Sequence, residues 1–269
     1  MPELPEVETI ARGLAASVLG KTIERVDVRL PRVVAAPVVR FKRALVGQRI
    51  LGAGRRGKYV VLRLDSGRRL VVSLRMTGRL IVGRPSEPLP KAAHVVLEFS
   101  DSTRLAFADV RTFGRMRLVE PDEAWDADLG PEPLEKAFTP QAFIGMLSGR
   151  TTPIKALLLD QRRIAGIGNI YACEALWEAR IRPDRPAGKL TGPAIRRLHD
   201  AIVGVLTRAI DMRGSSIDDY VDAAGLPGGF QNVLSVYGRL GRPCVRCERP
   251  IVRTVLGQRG TWWCRGCQR

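Results

Sequence analysis

The sequence predicts an α+β chain in three parts: a β-sandwich supported by an N-terminal helix, a helical region, and a C-terminal four-cysteine ribbon. Three observations carry this. Short apolar runs separated by turn residues fill the chain from Arg25 to Val119. Helix-period apolar faces take over from Pro140. Four cysteines then fall in two Cys-x2-Cys pairs near the last residue. Periods near 2 and 3.6 separate strand from helix, and paired cysteines mark a small stapled module.

The first helix begins at Pro5, with Glu6 and Glu8 in its first turn. Proline suits a first helical position, and carboxylates suit the positive end of the helix. Val7, Ile10, Ala11, Leu14 and Val18 share one face, and Gly20 ends the helix. Packing of that face would hold residues 2 and 3 in a fixed place. Strands are expected at Arg25–Leu30, Tyr59–Leu64, Arg69–Met76, His94–Phe99, Thr103–Val110 and Arg115–Val119, with Gly, Asp and Ser turns between them. Pro85–Pro90 is a loop, and the acidic, Pro-containing stretch Trp125–Pro133 is a linker.

Helices are expected at Pro140–Leu147 and Pro153–Leu159, and at Ile170–Ala179 with Asn169 as its cap. Ile195, Leu198, Ile202, Val205, Leu206 and Ala209 form the apolar face of a longer helix. Gly214–Phe230 is too long and glycine-rich for a tight connection and is expected to be a mobile lid. The domains are expected at 1–124, 134–231 and 236–269. No internal repeat is present.

The chain has 269 residues, with 44 Lys+Arg against 27 Asp+Glu, a net charge of +17 and a pI near 10.7. That excess favours a polyanionic partner, nucleic acid before an anionic membrane. Most of the cations are arginines, which fork onto phosphates. No run of 18 apolar residues and no signal peptide are present, so a membrane span is not expected and the cytoplasm is the expected compartment.

Cys244, Cys247, Cys264 and Cys267 have the spacing of a four-thiolate zinc ribbon, with sixteen residues between the pairs. Two disulfides are the alternative, which a cytosolic chain would not keep. The fifth cysteine, Cys173, lies in an apolar run and reads as core. From Val236 onward the ribbon carries eight arginines against Glu248. One-sided charge of this kind points to nucleic acid rather than a merely solvated face. The hairpin Val252–Trp263 has Arg259 at its tip, projecting away from the metal, while Trp262 and Trp263 read as packing.

The opening, Met-Pro-Glu-Leu-Pro-Glu-Val-Glu, carries chemistry of its own. Removal of Met1 gives Pro2 a secondary amine at the chain terminus. An α-amino group titrates near ~7.7–8.0, so a usable fraction is neutral at physiological pH. Such an amine can attack a sugar aldehyde carbon and form an iminium ion, an electron sink that acidifies the adjacent C–H. Glu3 beside it can shuttle protons. The glycine-punctuated loop at 164–169 leads into a helix N-terminus, which reads either as a phosphate site or as an ordinary helix–turn–helix corner.

Together these segments resemble one family. The opening from Pro2 to Glu8, Gly57-Lys58, the run 109–114 (Asp-Val-Arg-Thr-Phe-Gly), the run 166–171 (Gly-Ile-Gly-Asn-Ile-Tyr), 237–239 (Tyr-Gly-Arg), 258–261 (Gln-Arg-Gly-Thr) and the four cysteines are similar to bacterial formamidopyrimidine-DNA glycosylases, in order along the whole chain. Leu4 matches this family, whereas the related endonuclease VIII branch usually has glycine there.

The resemblance implies an enzyme of base-excision repair, a bifunctional DNA glycosylase and abasic-site lyase. It would remove 8-oxoguanine and formamidopyrimidines and cleave the abasic site by β,δ-elimination. It implies a helix–two-turn–helix middle domain, DNA held between the halves, one structural zinc, and a monomer working on double-stranded DNA with oxidised bases.

Pro2 would be the Schiff-base nucleophile and Glu3 the proton donor that helps open the sugar. Lys58 would assist β-elimination and Arg259 the later elimination. Asn169 and Arg259 would clamp phosphates. Met76, Arg111 and Phe113 would fill the gap left by the flipped-out lesion, with Arg111 facing the orphaned cytosine. Arg150 would be a further DNA contact, and Cys244, Cys247, Cys264 and Cys267 the zinc ligands.

Two departures from the family bear on local phosphate contacts and substrate preference. Ser73-Leu-Arg precedes Met76 where the family often has His-Leu-Gly, and Ala92 replaces the first histidine of Lys-His-x-His, leaving His94. Two rivals remain: an endonuclease VIII-like enzyme for oxidised pyrimidines, and a non-catalytic zinc-dependent DNA-binding protein. A retained Met1 would favour the second.

Overall fold

In the computed structural model, residues 1–217 and 220–269 are described; Asp218 and Asp219, within the expected lid segment, lie outside them. Helix α1 (Leu4–Val18) opens the chain and buries Leu4, Val7, Ile10, Ala11, Leu14 and Val18, the face that the helical period selects. Burying each large side chain contributes about 1.5–3 kcal/mol, enough to fix the helix against the sheet behind it. Leu19 is the C-cap and Gly20 follows at φ +78, a left-handed position that suits glycine.

Two four-stranded antiparallel sheets follow. One has the order β1-β6-β7-β5 and the other β2-β3-β4-β8. The strands are β1 (Ile23–Val28), β2 (Ile50–Arg56), β3 (Tyr59–Leu64), β4 (Arg69–Ser73), β5 (Gly78–Gly83), β6 (Ala93–Phe99), β7 (Arg104–Asp109) and β8 (Arg115–Val119). Val60, Leu62, Leu70 and Val72 from one sheet share a core with Val95, Leu97, Phe99, Leu105 and Phe107 from the other, and with α1. Alternation along each strand sends one set of side chains inward, as a two-layer sandwich requires.

Among the described residues, one α-helix and two strands are additional to those the sequence indicates: α2 (Val38–Leu45), β2 and β5. Helix α2 buries only Phe41 and Leu45, and β2 carries Gly52, Gly54, Arg55 and Arg56, so neither has a legible period. Strand β4 stops at Ser73, short of the expected Met76, because the chain turns there.

The chain divides into two compact units, Met1–Ala127 with Met212–Gly229, and Asp128–Asp211 with Phe230–Arg269. The second unit holds α3 (Pro140–Leu147), α4 (Ile154–Leu159), α5 (Asn169–Glu178), α6 (Gly192–Asp211) and the hairpin of β9 (Val252–Leu256) with β10 (Arg259–Trp263). Thr139 caps α3 through its hydroxyl, which accepts from Ala142 N at 3.1 Å. Helix α5 is buried at every residue from Ile170 to Trp177, which makes it the axis of this unit. Its cap is a correction: Gly168, not Asn169, is the N-cap, and Asn169 is the first helical residue. The hairpin turns at Gly257 (φ +54) and Gln258 (φ +61), the double positive φ of a two-residue loop. No helix among the described residues is long and apolar enough to cross a membrane.

Candidate active site and nucleic-acid interface

Met1 is 42% exposed, whereas Pro2 and Glu3 are buried. While Met1 is attached, the Pro2 nitrogen is an amide without a nucleophilic lone pair. The exposed position of Met1 leaves that bond open to removal. Glu3 is the N-cap of α1 and forms a reciprocal capping box with Glu6; its backbone N donates to Glu6 Oε2 at 2.7 Å. Glu6 is itself buried, and its Oε1 accepts from Ser215 N at 2.7 Å. Gly214 sits at φ +78, and a Cβ there would lie 2.7 Å from Glu6 Oε1. One buried carboxylate therefore ties the segment at 214–215 to the backbone beside Pro2. Lys58 occupies the β2–β3 turn after Gly57, which is at φ +56, and is half-buried.

Met76 lies in the β4–β5 turn, and Arg111 and Phe113 lie in the β7–β8 loop. Met76 and Phe113 are 39% and 52% exposed, unusual for apolar side chains, and the Arg111 guanidinium lies 4.9 Å from the Phe113 ring centroid. Beneath this exposed tip is a buried polar base. Asp109 accepts from the Thr77 hydroxyl through Oδ1 and from Gly114 N at 2.7 Å through Oδ2. Thr77 Oγ1 in turn accepts from Arg111 N at 3.0 Å. His94 Nε2 meets the Asp109 carbonyl at 2.8 Å, so His94 braces the loop. Thr112, between Arg111 and Phe113, is held at φ +57, a strained conformation for a β-branched residue.

Gly114 has no room for a side chain: an added Cβ would lie 2.6 Å from the Phe107 ring and 2.9 Å from Ser73 O. Gly114→Ala is expected to displace the loop and cost about 1–3 kcal/mol. Thermal unfolding, together with faster amide exchange across residues 109–115, would register it. An unchanged melting temperature and exchange pattern would contradict this packing.

In the second unit, Asn169 Oδ1 accepts from Lys155 Nζ at 2.6 Å, and Asn169 Nδ2 donates to Gly260 O at 3.0 Å. Lys155 is fully buried and also donates to Thr261 Oγ1 at 2.7 Å and Gly260 O at 3.2 Å. The ammonium thus fastens the ribbon hairpin to the start of α5 and places exposed Arg259 next to the residues that hold Asn169. In the sequence, the one sign of this role is that Lys155 is a lone charge in the run Ile154-Lys-Ala-Leu-Leu-Leu. Lys155→Met should strand each acceptor at roughly 1–3 kcal/mol and loosen residues 259–261. Amide exchange there is the readout, and protection equal to that of the parent chain would refute the role. Arg150 lies on a separate loop; its N bonds Leu147 O at 3.2 Å and its carbonyl accepts from Gly188 N at 2.8 Å.

The four ribbon sulfurs all lie within 4.8 Å of one another, with Cys247–Cys264 at 3.4 Å and Cys244–Cys267 at 3.8 Å. Tetrahedral zinc with ~2.3 Å bonds needs sulfur separations of roughly 3.8 Å, so the set fits. Burial and neighbouring thiols push Cys267 up to about 12 and raise Cys264 as well. Four thiolates therefore need a cation to coexist. Cys173 is buried beside this cluster as core. Glu174, buried on α5, accepts from Ser235, Val236 and Tyr237 N at 2.8, 3.0 and 2.8 Å, anchoring the chain where it enters the ribbon. Burial raises its pKa, against these donors, which favour the carboxylate. Trp262 packs on Tyr237 at 4.5 Å between centroids, and Trp263 is buried.

Comparison with known proteins adds the family. Residues 1–116 match the formamidopyrimidine-DNA glycosylase N-terminal domain, 129–221 its H2TH domain, and 241–269 the zinc finger found in FPG and IleRS. The formamidopyrimidine-DNA glycosylase of Brevibacillus brevis is 48% identical over 275 residues, spanning 100% of this chain and 99% of the relative. The chain belongs to the formamidopyrimidine-DNA glycosylase family. A Lactococcus lactis FPG variant, solved in complex with Fapy-dG-containing DNA, is 38% identical and superposes with a TM-score of 0.94, covering 100% of both chains. The Lactococcus lactis Fpg in complex with abasic-site DNA is 37% identical at a TM-score of 0.93, covering 99% of each chain. The family therefore accounts for the β-sandwich, the helical middle region and one structural zinc on the four ribbon cysteines.

Proposed function

We propose that Pro2, freed by loss of Met1, is the nucleophile of a DNA glycosylase and abasic-site lyase, with 1–124 as catalytic domain and 134–231 and 236–269 as DNA-binding domains. The chain is a base-excision-repair enzyme for oxidised purines. The observation that carries the assignment of the nucleophile is the buried, capped position of Pro2 and Glu3 at the start of α1, pinned by Glu6.

The Pro2 nitrogen lone pair attacks C1′ of the damaged nucleotide, the glycosidic bond breaks, and the base leaves with the proton that the Pro2 nitrogen gives up. Glu3 supplies a proton to the opening sugar ring. The resulting iminium acidifies C2′, whose proton passes to water as the 3′-phosphate leaves by β-elimination with Lys58 assisting; loss of a C4′ proton to water then expels the 5′-phosphate with Arg259 assisting. Hydrolysis frees the proline. Asn169 and Arg259 hold phosphates, Arg150 adds a DNA contact, and Met76, Arg111 and Phe113 occupy the emptied stack. The zinc supplies structure by holding the Arg259 hairpin; none of these steps passes through it.

Partner-base preference tests the reading. Arg111 donates two hydrogen bonds, and an orphaned cytosine offers acceptors at O2 and N3, whereas adenine offers only N1, with a C–H where the second acceptor would be. A lost hydrogen bond in a desolvated site costs about 1–3 kcal/mol, roughly 5- to 150-fold in rate. Single-turnover excision of 8-oxoguanine opposite cytosine should exceed excision opposite adenine by about tenfold or more, and Arg111→Ala should shrink the ratio. Equal rates in the parent chain would refute the role of Arg111. Faster removal of thymine glycol than of 8-oxoguanine would move the chain to oxidised pyrimidines.

A further inference from the structure

A cavity of about 530 Å³ lies in the second unit where the end of α5, the start of α6 and the zinc-binding turns meet. Arg180, Arg185, Arg197, Arg246 and Arg269 line it, above a floor that includes Ile181, and no acidic side chain lines it. Neighbouring arginines are neutralised: Arg182 pairs with Asp184 at 2.7 Å and Arg208 with Glu178 at 2.5 Å. None of the five cavity arginines makes an ion pair among the described residues. Arg246 is pre-positioned, donating to Trp177 O at 2.7 Å and stacked 3.6 Å above the Trp177 ring.

Two zinc ligands sit on the cavity wall, and a zinc tetrathiolate carries a double negative charge. Five guanidiniums exceed that by three, and by two with the α-carboxylate of Arg269 counted. Like charges gathered around one concavity repel, and a multivalent anion relieves the repulsion. Guanidiniums match phosphate oxygens in paired hydrogen bonds, and a surplus of two or three suits two or three linked phosphates. The cavity is not the clamp at Asn169 and Arg259. The paired strands β9 and β10 separate Arg259 from Trp263, roughly 13 Å at ~3.3 Å per residue, before the zinc-binding turn begins.

We propose that this cavity is a second anion site, which takes linked phosphate groups while the principal duplex is bound elsewhere. A free polyphosphate and the backbone of a second DNA segment share that chemistry.

The test uses zinc-loaded, full-length protein saturated with a duplex carrying a non-cleavable abasic analogue. Calorimetric titration with inorganic tripolyphosphate, and separately with an undamaged duplex, distinguishes the two sources. At least one of them should bind with one equivalent per chain. Arg185→Ala with Arg197→Ala should weaken that binding tenfold or more, and Arg197→Glu alone should weaken it likewise. Arg259→Ala should leave it within twofold. Arg40→Ala with Arg43→Ala, on α2, removes equal charge and should also leave it unchanged. Zinc content and melting temperature confirm that each variant is folded. Binding of neither titrant to duplex-loaded protein would overturn the proposal. So would equal losses in the α2 control, or loss on Arg259→Ala.

Discussion

A single extra residue in front of Pro2 is expected to abolish covalent trapping on damaged DNA and to slow strand cleavage by about three orders of magnitude or more. The extension turns the nucleophile into an amide, which has no lone pair to offer C1′. It leaves α1, its capping box and the sandwich core in place, because Pro2 already follows an exposed residue in the full chain. Loss of activity with an unchanged melting temperature therefore reports chemistry rather than folding. Glu3→Gln should separate the two steps: base excision should fall more than cleavage of a preformed abasic site, since only the first needs the sugar opened from the intact nucleotide. Equal losses on both substrates would contradict that division.

Removal of zinc is the second large effect. Apparent binding energies of about 10–16 kcal/mol are typical of structural zinc in small finger peptides, and the ribbon has little other core. Cys244, Cys264, Val236 and Ile251 are its main buried residues, packed against Cys173 and Trp177 of α5. Cys264→Ser, or chelation, should melt the hairpin and release Arg259 from the Lys155–Asn169 junction. Duplex affinity should drop, and the salt dependence of binding should flatten by ~0.9 for each phosphate that the protein no longer neutralises. Circular dichroism should still show the β-sandwich, whose core draws on residues of the first unit alone. Full duplex affinity in metal-free protein would contradict this account.

Strands with a clear inward face were legible from the chain. Tyr59–Leu64 and Arg115–Val119 fall where alternation indicates, and the long helix follows Ile195, Leu198 and Ile202. The first strand begins two residues earlier than its pattern, at Ile23. Strand β2 was hidden because glycines occupy it; Gly52 leaves room for the Arg63 guanidinium, with a Cβ there only 2.6 Å from it. Asn169 reads as a cap by residue type, yet its amide is committed to Lys155 and Gly260.

The zinc ligands and the N-terminal pair were also legible, because each is a local pattern. The braces behind them were not. Lys155 bonds Thr261 across 106 residues and Glu6 bonds Ser215 across 209, and no local spacing encodes such partners. What the chain does reveal is the Lys155 charge in an apolar run, whereas Glu6 looks like any first-turn carboxylate. The partner of each becomes visible only in the fold.

Catalysis by this chain turns on the identity of the nucleophile. Borohydride reduction of the processed protein on an 8-oxoguanine·cytosine duplex, followed by proteolysis and mass mapping of the DNA adduct, measures it directly. The adduct is predicted on the N-terminal peptide that begins at Pro2, with Met1 absent. An adduct on a lysine side chain, or a trapped complex whose N-terminal peptide still carries Met1, would contradict the account.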